Sequence, residues 1–213
     1  MNLNNKNGII FITLTISLCF LFLLNISLGS IEIPLKEVFK SLIGGTSTKE
    51  TWQYIILNYR LPKAITAVLV GFGLSISGLL MQTLFRNPLA GPYVLGLSSG
   101  SSLGVAFVIL GATFLPNFLS SIILSPFGII TASFFGSLMV LLAVIVVSQK
   151  LRDTMSILII GLMFSSFASA IVGVLSYFSS AESLQKFTFW SMGNIGNLSW
   201  QSVSILGGTV LLV

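Results

Sequence analysis

The stretch RLPKAITAVLVGFGLSISGLLMQTLFRNPLAGPYVLGLSSGSSLG, residues 60–104, decides how the rest of the chain must be read. Between Lys63 and Arg86 lie 22 residues without a charge, Ala64 to Phe85. At about 1.5 Å per residue, a helix of that length crosses a hydrocarbon layer of about 30 Å. Pro62 suits the first turn of such a helix, where its missing N–H would have no partner. The span stops at Arg86-Asn87-Pro88, and the chain turns through Leu89-Ala90-Gly91-Pro92 into a second apolar run. Small residues mark both runs: Gly71, Ser75 and Gly78 in the first, and Gly96, Gly100 and Gly104 at intervals of four in the second. Where apolar burial drives no association, such stripes let two helix backbones approach closely.

Outward from this stretch the composition is of one kind. Hydrophobic residues make up 54% of the 213 and charged residues 7%, with a mean hydropathy of +1.03. A soluble domain carries about 25% charged residues. Charges fall in short clusters, leaving charge-free runs at 7–31, 64–85, 87–149, 154–181 and 187–213. At about 20 residues per crossing, these runs predict six spans: 8–28, 64–85, 94–114, 127–148, 155–178 and an incomplete one from 200 to 213. The alternation of a membrane β-barrel is missing, so the predicted fold is an all-α, polytopic transmembrane bundle in a single domain. A third small-residue stripe, Gly161, Ser165, Ser169 and Gly173, lies in the fifth span. Each of the three stripes, Gly96, Gly100 and Gly104 included, reads either as helix packing or as the wall of a solute path, with Ser165 and Ser169 the best candidates for the path.

The first run, N-terminal and ending Leu-Gly-Ser at 28–30, is too long for a signal-peptide core of 7–15 residues and has only Lys6 before it, which predicts a retained helix. From 33 to 45 the spacing changes. Leu35, Val38, Phe39, Leu42 and Ile43 share one helical face and Lys36, Glu37 and Lys40 the other, with Pro34 to start the helix and Gly44-Gly45 to end it. That segment either lies on the membrane surface or packs as a loop helix. Pro116-Asn117 and Ser125-Pro126 bracket the next connection, and Gln149 to Thr154 reads as a tight polar loop. Trp190 and Trp200 suit the headgroup level.

Several function classes are excluded on chemistry. The chain has no histidine, and its one cysteine, Cys19, sits inside the first span as a small hydrophobe. No metal site, cofactor site or catalytic dyad can be assembled from what remains, and nothing suits a nucleic acid. None of the 15 charges is central to a span, although ion-coupled carriers usually keep ionisable groups there. Energy must therefore come from a partner, and because the chain has no Gly-x-x-x-x-Gly-Lys-Ser/Thr, an ATPase would be a separate polypeptide.

The residues Arg60-Leu-Pro-Lys63, Gly71, Ser77-Gly78, Gln82, Asn87-Pro88-Leu89-Ala90, Pro92 and Leu95-Gly96-x-Ser98-Ser99-Gly100 carry a resemblance, joined by Trp190-Ser-Met-Gly193 through Trp200. Together they resemble the membrane subunit of type II ATP-binding-cassette importers, the FecCD-type permeases for ferric siderophores, haem and cobalamin. The resemblance implies a second permease copy, a cytoplasmic ATPase, an extracytoplasmic solute-binding protein, and a place in the bacterial inner membrane. It implies that Arg60 and Lys63 receive acidic residues of the binding protein, Arg60 mattering more because a guanidinium can hold a carboxylate bidentately. It also implies that Asn87 and Leu89, with Thr154 and Met155, narrow the path from two cytoplasmic loops. That orientation puts Lys6, Arg86, Lys150 and Arg152 inside and six basic residues outside, against the positive-inside tendency. Such permeases have about ten spans, so the chain reads as a C-terminally truncated piece. The alternative reading is a secondary transporter or channel whose coupling site lies beyond Val213.

Overall fold

The structure, a computed structural model, describes residues 3–45, 47–114, 120, 122–150, 153–196 and 198–212. The expected bracket at Pro116-Asn117, and Arg152 in the polar loop, lie outside the described residues. The helices, in chain order, are α1 (Leu3–Ser27), α2 (Leu35–Leu42), α3 (Glu50–Ile55), α4 (Leu61–Phe85), α5 (Leu97–Ile109), α6 (Pro126–Ser148), α7 (Thr154–Phe178), α8 (Ala181–Ser191) and α9 (Trp200–Leu211). A π-helical segment, Ile56–Arg60, joins α3 to α4, and 3₁₀ turns at Pro92–Leu95 and Gly111–Phe114 flank α5. No strand occurs among the described residues, as expected of a membrane-spanning helical bundle.

Four stretches are long and apolar enough to cross a membrane: Lys6–Ser27, Glu50–Phe85, Pro126–Ser148 and Met155–Phe178. Two elements differ from the spans read above. The second helix does not begin at residue 64 but runs back through the π segment to Glu50, because Pro62 interrupts only its own hydrogen bond and the helix continues upstream with a wider turn. The stretch expected to cross at 94–114 is a 13-residue α-helix between 3₁₀ turns. Gly96, at φ +78°, ends the first turn in the left-handed region that favours glycine, so the α-helix starts only at Leu97.

The chain divides into two compact units, residues 1–73 with 194–213, and 74–193. In the first, Ile26, Ile33, Val38, Ile56 and Ala64 form the core, with Phe22, Leu42, Trp52 and Leu61 packed on it. Helix α2 turns Val38 and Ser41 into that core and leaves Leu35, Phe39 and Ile43 exposed. One side of it is packed and the other shows apolar side chains outward. Gly44, at φ +82°, lets the chain leave it. Ser47 and Thr48 then cap Glu37: Ser47 Oγ donates at 2.9 Å, Thr48 N at 2.8 Å and Thr48 Oγ1 at 2.6 Å. These bonds, with Lys40 nearby, hold the Glu37 carboxyl down to about 2. Cys19 is exposed and borders an apolar cleft of about 470 Å³ with Leu18, Phe22, Leu23, Ile65, Val68 and Leu69.

In the second unit, α5 and α6 run antiparallel. Gly100 meets Gly136 and Val140, and Gly104 meets Ala132. A methyl on Gly100 would stand 2.6 Å from the Gly136 carbonyl oxygen, and one on Gly136 would collide with the Gly100 carbonyl. Two backbones are therefore in direct contact, which is what the glycine ladder makes possible. Helix α7 runs parallel to α5, Gly161 lying on Val94 and Leu95 at one end and Val172 and Leu175 packing towards Val105 to Leu110 at the other. Side-chain caps start the later helices: Ser125 for α6, Asp153 for α7, Ser180 for α8 and Ser199 for α9.

Candidate functional site

The basic pair at the head of α4 straddles the end of the π segment, Arg60 being its last residue and Lys63 lying in α4. Read at 3.6 residues per turn, Arg60 and Lys63 share a face. The amide of Leu61 donates to Ile56, five residues back, so the turn leading up to Arg60 is wider than an α turn. Lys63 is exposed and makes no ion pair among the described residues. Arg60 is half-buried. Its Nη1 donates to the carbonyls of Ile26 at 2.8 Å and Ser27 at 2.7 Å, and its Nη2 to that of Ile31. The first two carbonyls are at the C-terminal end of α1, where a cation also complements the helix dipole, and that of Ser27 accepts from Ile33 N as well. Gly29 leaves room for the guanidinium, since a methyl there would lie 2.7 Å from Nη2.

A second device at this point escapes any reading of spans. Continuing the π pattern, residue 62 would donate to Leu57, but it is proline and has no N–H. The indole Nε1 of Trp200 donates to the Leu57 carbonyl instead, at 3.0 Å. The tryptophan read as an interfacial anchor thus supplies the missing donor. Nothing in the sequence spacing pairs residue 57 with residue 200, and only the unpaired acceptor created by Pro62 could have asked for such a partner.

The two loops expected to act as gates lie at the same end of the second unit. Phe85 and Ala90, flanking the first, are in one buried cluster with Val144 and Leu158, which flank the second. Asn87 forms an Asx turn, its Oδ1 accepting from Leu89 N at 2.9 Å, and Gln82 Nε2 donates to the Pro88 carbonyl at 3.0 Å. Arg86 takes φ +49°, uncommon for a residue with a side chain. This rigid turn presents Leu89 80% exposed. Across from it, Asp153 caps α7 by accepting from the amides of Met155 and Ser156, each at 3.3 Å, and Met155 is exposed. Thr154 begins α7, but its side chain lies outside the described residues. The arrangement pairs two exposed apolar tips, each on a hydrogen-bonded loop.

The small-residue stripes do different work. Gly96, Gly100, Gly104 and Gly161 are closed against neighbouring backbone or side chains, whereas a methyl on Gly173 or Gly78 would meet nothing within 4 Å. Ser165 is half-buried and donates to the Gly161 carbonyl, while Ser169 is exposed on a cleft with Ser98, Ser99 and Ser102.

The FecCD transport family profile matches residues 17–213. The chain is similar to the haemin transport system permease HmuU of Yersinia pestis, 32% identical over 206 residues, which cover 96% of this chain and 60% of HmuU. It is likewise similar to the vitamin B12 import permease BtuC of Vibrio parahaemolyticus, 33% identical over 174 residues, 81% of this chain and 50% of BtuC. Among solved structures it matches a chain described as an inward-facing conformation of a metal-chelate type ABC transporter. That match has a TM-score of 0.78 at 27% identity and covers 96% of this chain and 59% of the other. The chain thus spans about 60% or less of the length of these relatives.

Proposed function

The chain belongs to the FecCD transport family, and from that premise we propose that it is the membrane-spanning permease part of an ATP-driven importer. Its cargo in this reading is a ferric siderophore, with haem or cobalamin as the other members of the class, handed over by an extracytoplasmic binding protein. The observation that carries the proposal is the family match across residues 17–213 in a multi-pass helical chain. The chain is a transport subunit and not an enzyme, so hydrolysis falls to a separate ATPase acting on two permease copies.

Within this proposal the exposed Lys63 is the outward docking contact, and Arg60 stands behind it holding the end of α1. A charge at that place sets orientation and on-rate more than affinity. Leu89 and Met155, on the loops anchored by Asn87 and Asp153 at Thr154, are the apolar tips that narrow the path on the ATPase side. Alternating access then follows when two copies rock as the ATPase closes. The test is to purify the tagged protein from its own membranes. The expected result is a co-purifying nucleotide-binding subunit and ATP hydrolysis stimulated by the binding protein encoded beside it. Purification with no such subunit under mild detergent would sink the reading.

A further inference from the structure

A cleft of about 310 Å³ opens in the second unit between α5, α7 and α8, lined by Ser98, Ser99, Ser102, Ser169, Val172, Phe187 and Ser191. Helix α8 turns back after α7 and runs beside α5: Phe187 packs at Val105 to Leu110, and Ser191 reaches the level of Ser98 to Ser102. Elsewhere in this chain many helical hydroxyls bond their own backbone, as Thr13, Thr15, Thr66, Thr83, Ser165 and Ser166 donate to the carbonyl four residues back, while Ser41 has no partner and Ser17, Ser77 and Ser176 make no side-chain hydrogen bond among the described residues. Ser101, on the face turned to α6, is paired with Ser133 at 2.6 Å. In the cleft Ser191 also bonds its own backbone, donating to the Thr188 carbonyl. Ser98, Ser99, Ser102 and Ser169 make no side-chain hydrogen bond among the described residues. Four uncommitted donor–acceptor groups thus converge from two helices onto one cavity, opposite an aromatic ring and a valine.

Packing does not call for them. The tight face of α5 is the glycine face, and alanine would line an idle cleft without leaving polar groups to satisfy in a lipid-embedded bundle. Ligand sites use convergent polar groups beside apolar and aromatic surface, which the hydroxyls, Val172 and Phe187 supply here, and the volume lies at the lower end of their range. Among the described residues, no Lys, Arg, Asp or Glu lines it. A charged ligand would lose its hydration there with no counter-charge to replace it, whereas carbonyl, amide and hydroxyl edges would find both donors and acceptors.

We propose that this cleft is a solute-contact site that takes an uncharged, hydrogen-bonding edge of the cargo, read by the hydroxyls of Ser98, Ser99, Ser102 and Ser169 against Phe187. The proposal rests on the permease reading and names the solute chemistry that one part of the path selects. Neutral chelates bearing amide or hydroxamate edges pass this site better than multiply anionic ones of similar size.

The chain's single cysteine makes the test direct. Ser102→Cys and, from another helix, Ser169→Cys are each placed in a Cys19→Ser background, with Lys63→Cys as an exposed control, and labelled in native membrane vesicles with a water-borne methanethiosulfonate. Both cleft cysteines are expected to react. Saturation with a neutral tris-hydroxamate ferric chelate slows their labelling about threefold or more, as loss of access to a hydrogen-bonded site requires, whereas a tris-catecholate ferric chelate does not. If both stay unreactive while the control labels, polypeptide covers the cleft and the site does not exist. Equal protection by both chelates, or by neither, overturns the ligand class. Co-purification of an ATPase from the same membranes is read separately, so failure of the permease reading shows there and not in the labelling.

Discussion

A guanidinium that already serves three backbone carbonyls has few donors left for a partner protein, which sets distinct expectations for the two basic residues at the head of α4. Arg60→Ala should destabilise the protein by about 2–3 kcal/mol, because it takes the side-chain donor from the carbonyls of Ile26 and Ile31, and Arg60→Lys should recover only part of this since an ammonium lacks the fork. Thermal denaturation in detergent measures both. Lys63→Glu should leave the melting temperature unchanged and lower stimulation of ATP hydrolysis by the binding protein. The opposite pattern would return docking to Arg60. At Glu37 the prediction concerns pH. Its folded value, about 2, lies below the usual 4.5, so the carboxylate favours the folded loop above the unfolded value and loses that contribution as pH falls from about 4.5 through 2. Amide-exchange protection of Thr48 should therefore hold from neutral pH to about 4 and decline below it, while Glu37→Gln should show weak protection throughout.

Between elements, the closest approach is the glycine face shared by α5 and α6. Gly136→Ala should prevent stable assembly or cost several kcal/mol, since a methyl there would run into the carbonyl of Gly100 and helix backbones cannot yield locally. Gly173→Ala, with nothing within 4 Å of the added methyl, should leave detergent-stable yield unchanged; equal loss in both variants would sink the contact argument. The intervals of four at Gly96, Gly100 and Gly104 made that face legible in the sequence, and charge-free runs made the long helices legible, because lipid leaves few alternatives to them. The head of α4 was not legible. Spacing puts Arg60 and Lys63 on one face, but the carbonyls of Ile26, Ser27 and Ile31 that engage Arg60 lie far upstream in the chain, which spacing does not register. The uncommitted hydroxyls were half legible: Ser169 stands out on its stripe, but only the fold shows which serines spend their bonds at home.

For the whole molecule, the proposed importer draws its work from a separate ATPase, and that proposal has its own test. Uptake into vesicles holding the assembled transporter should require ATP and survive collapse of the proton gradient, and loss of uptake on adding a protonophore at constant ATP would favour an ion-coupled carrier instead. The bond from Trp200 to Leu57 has a consequence in time. Its partners stand 143 residues apart, and the whole of residues 74–193 is synthesised between them. Until Trp200 has been made, the Leu57 carbonyl lacks its native side-chain donor. The first unit is therefore begun first and completed last, and the nascent chain keeps one helix end provisional until the tryptophan that completes it has been made.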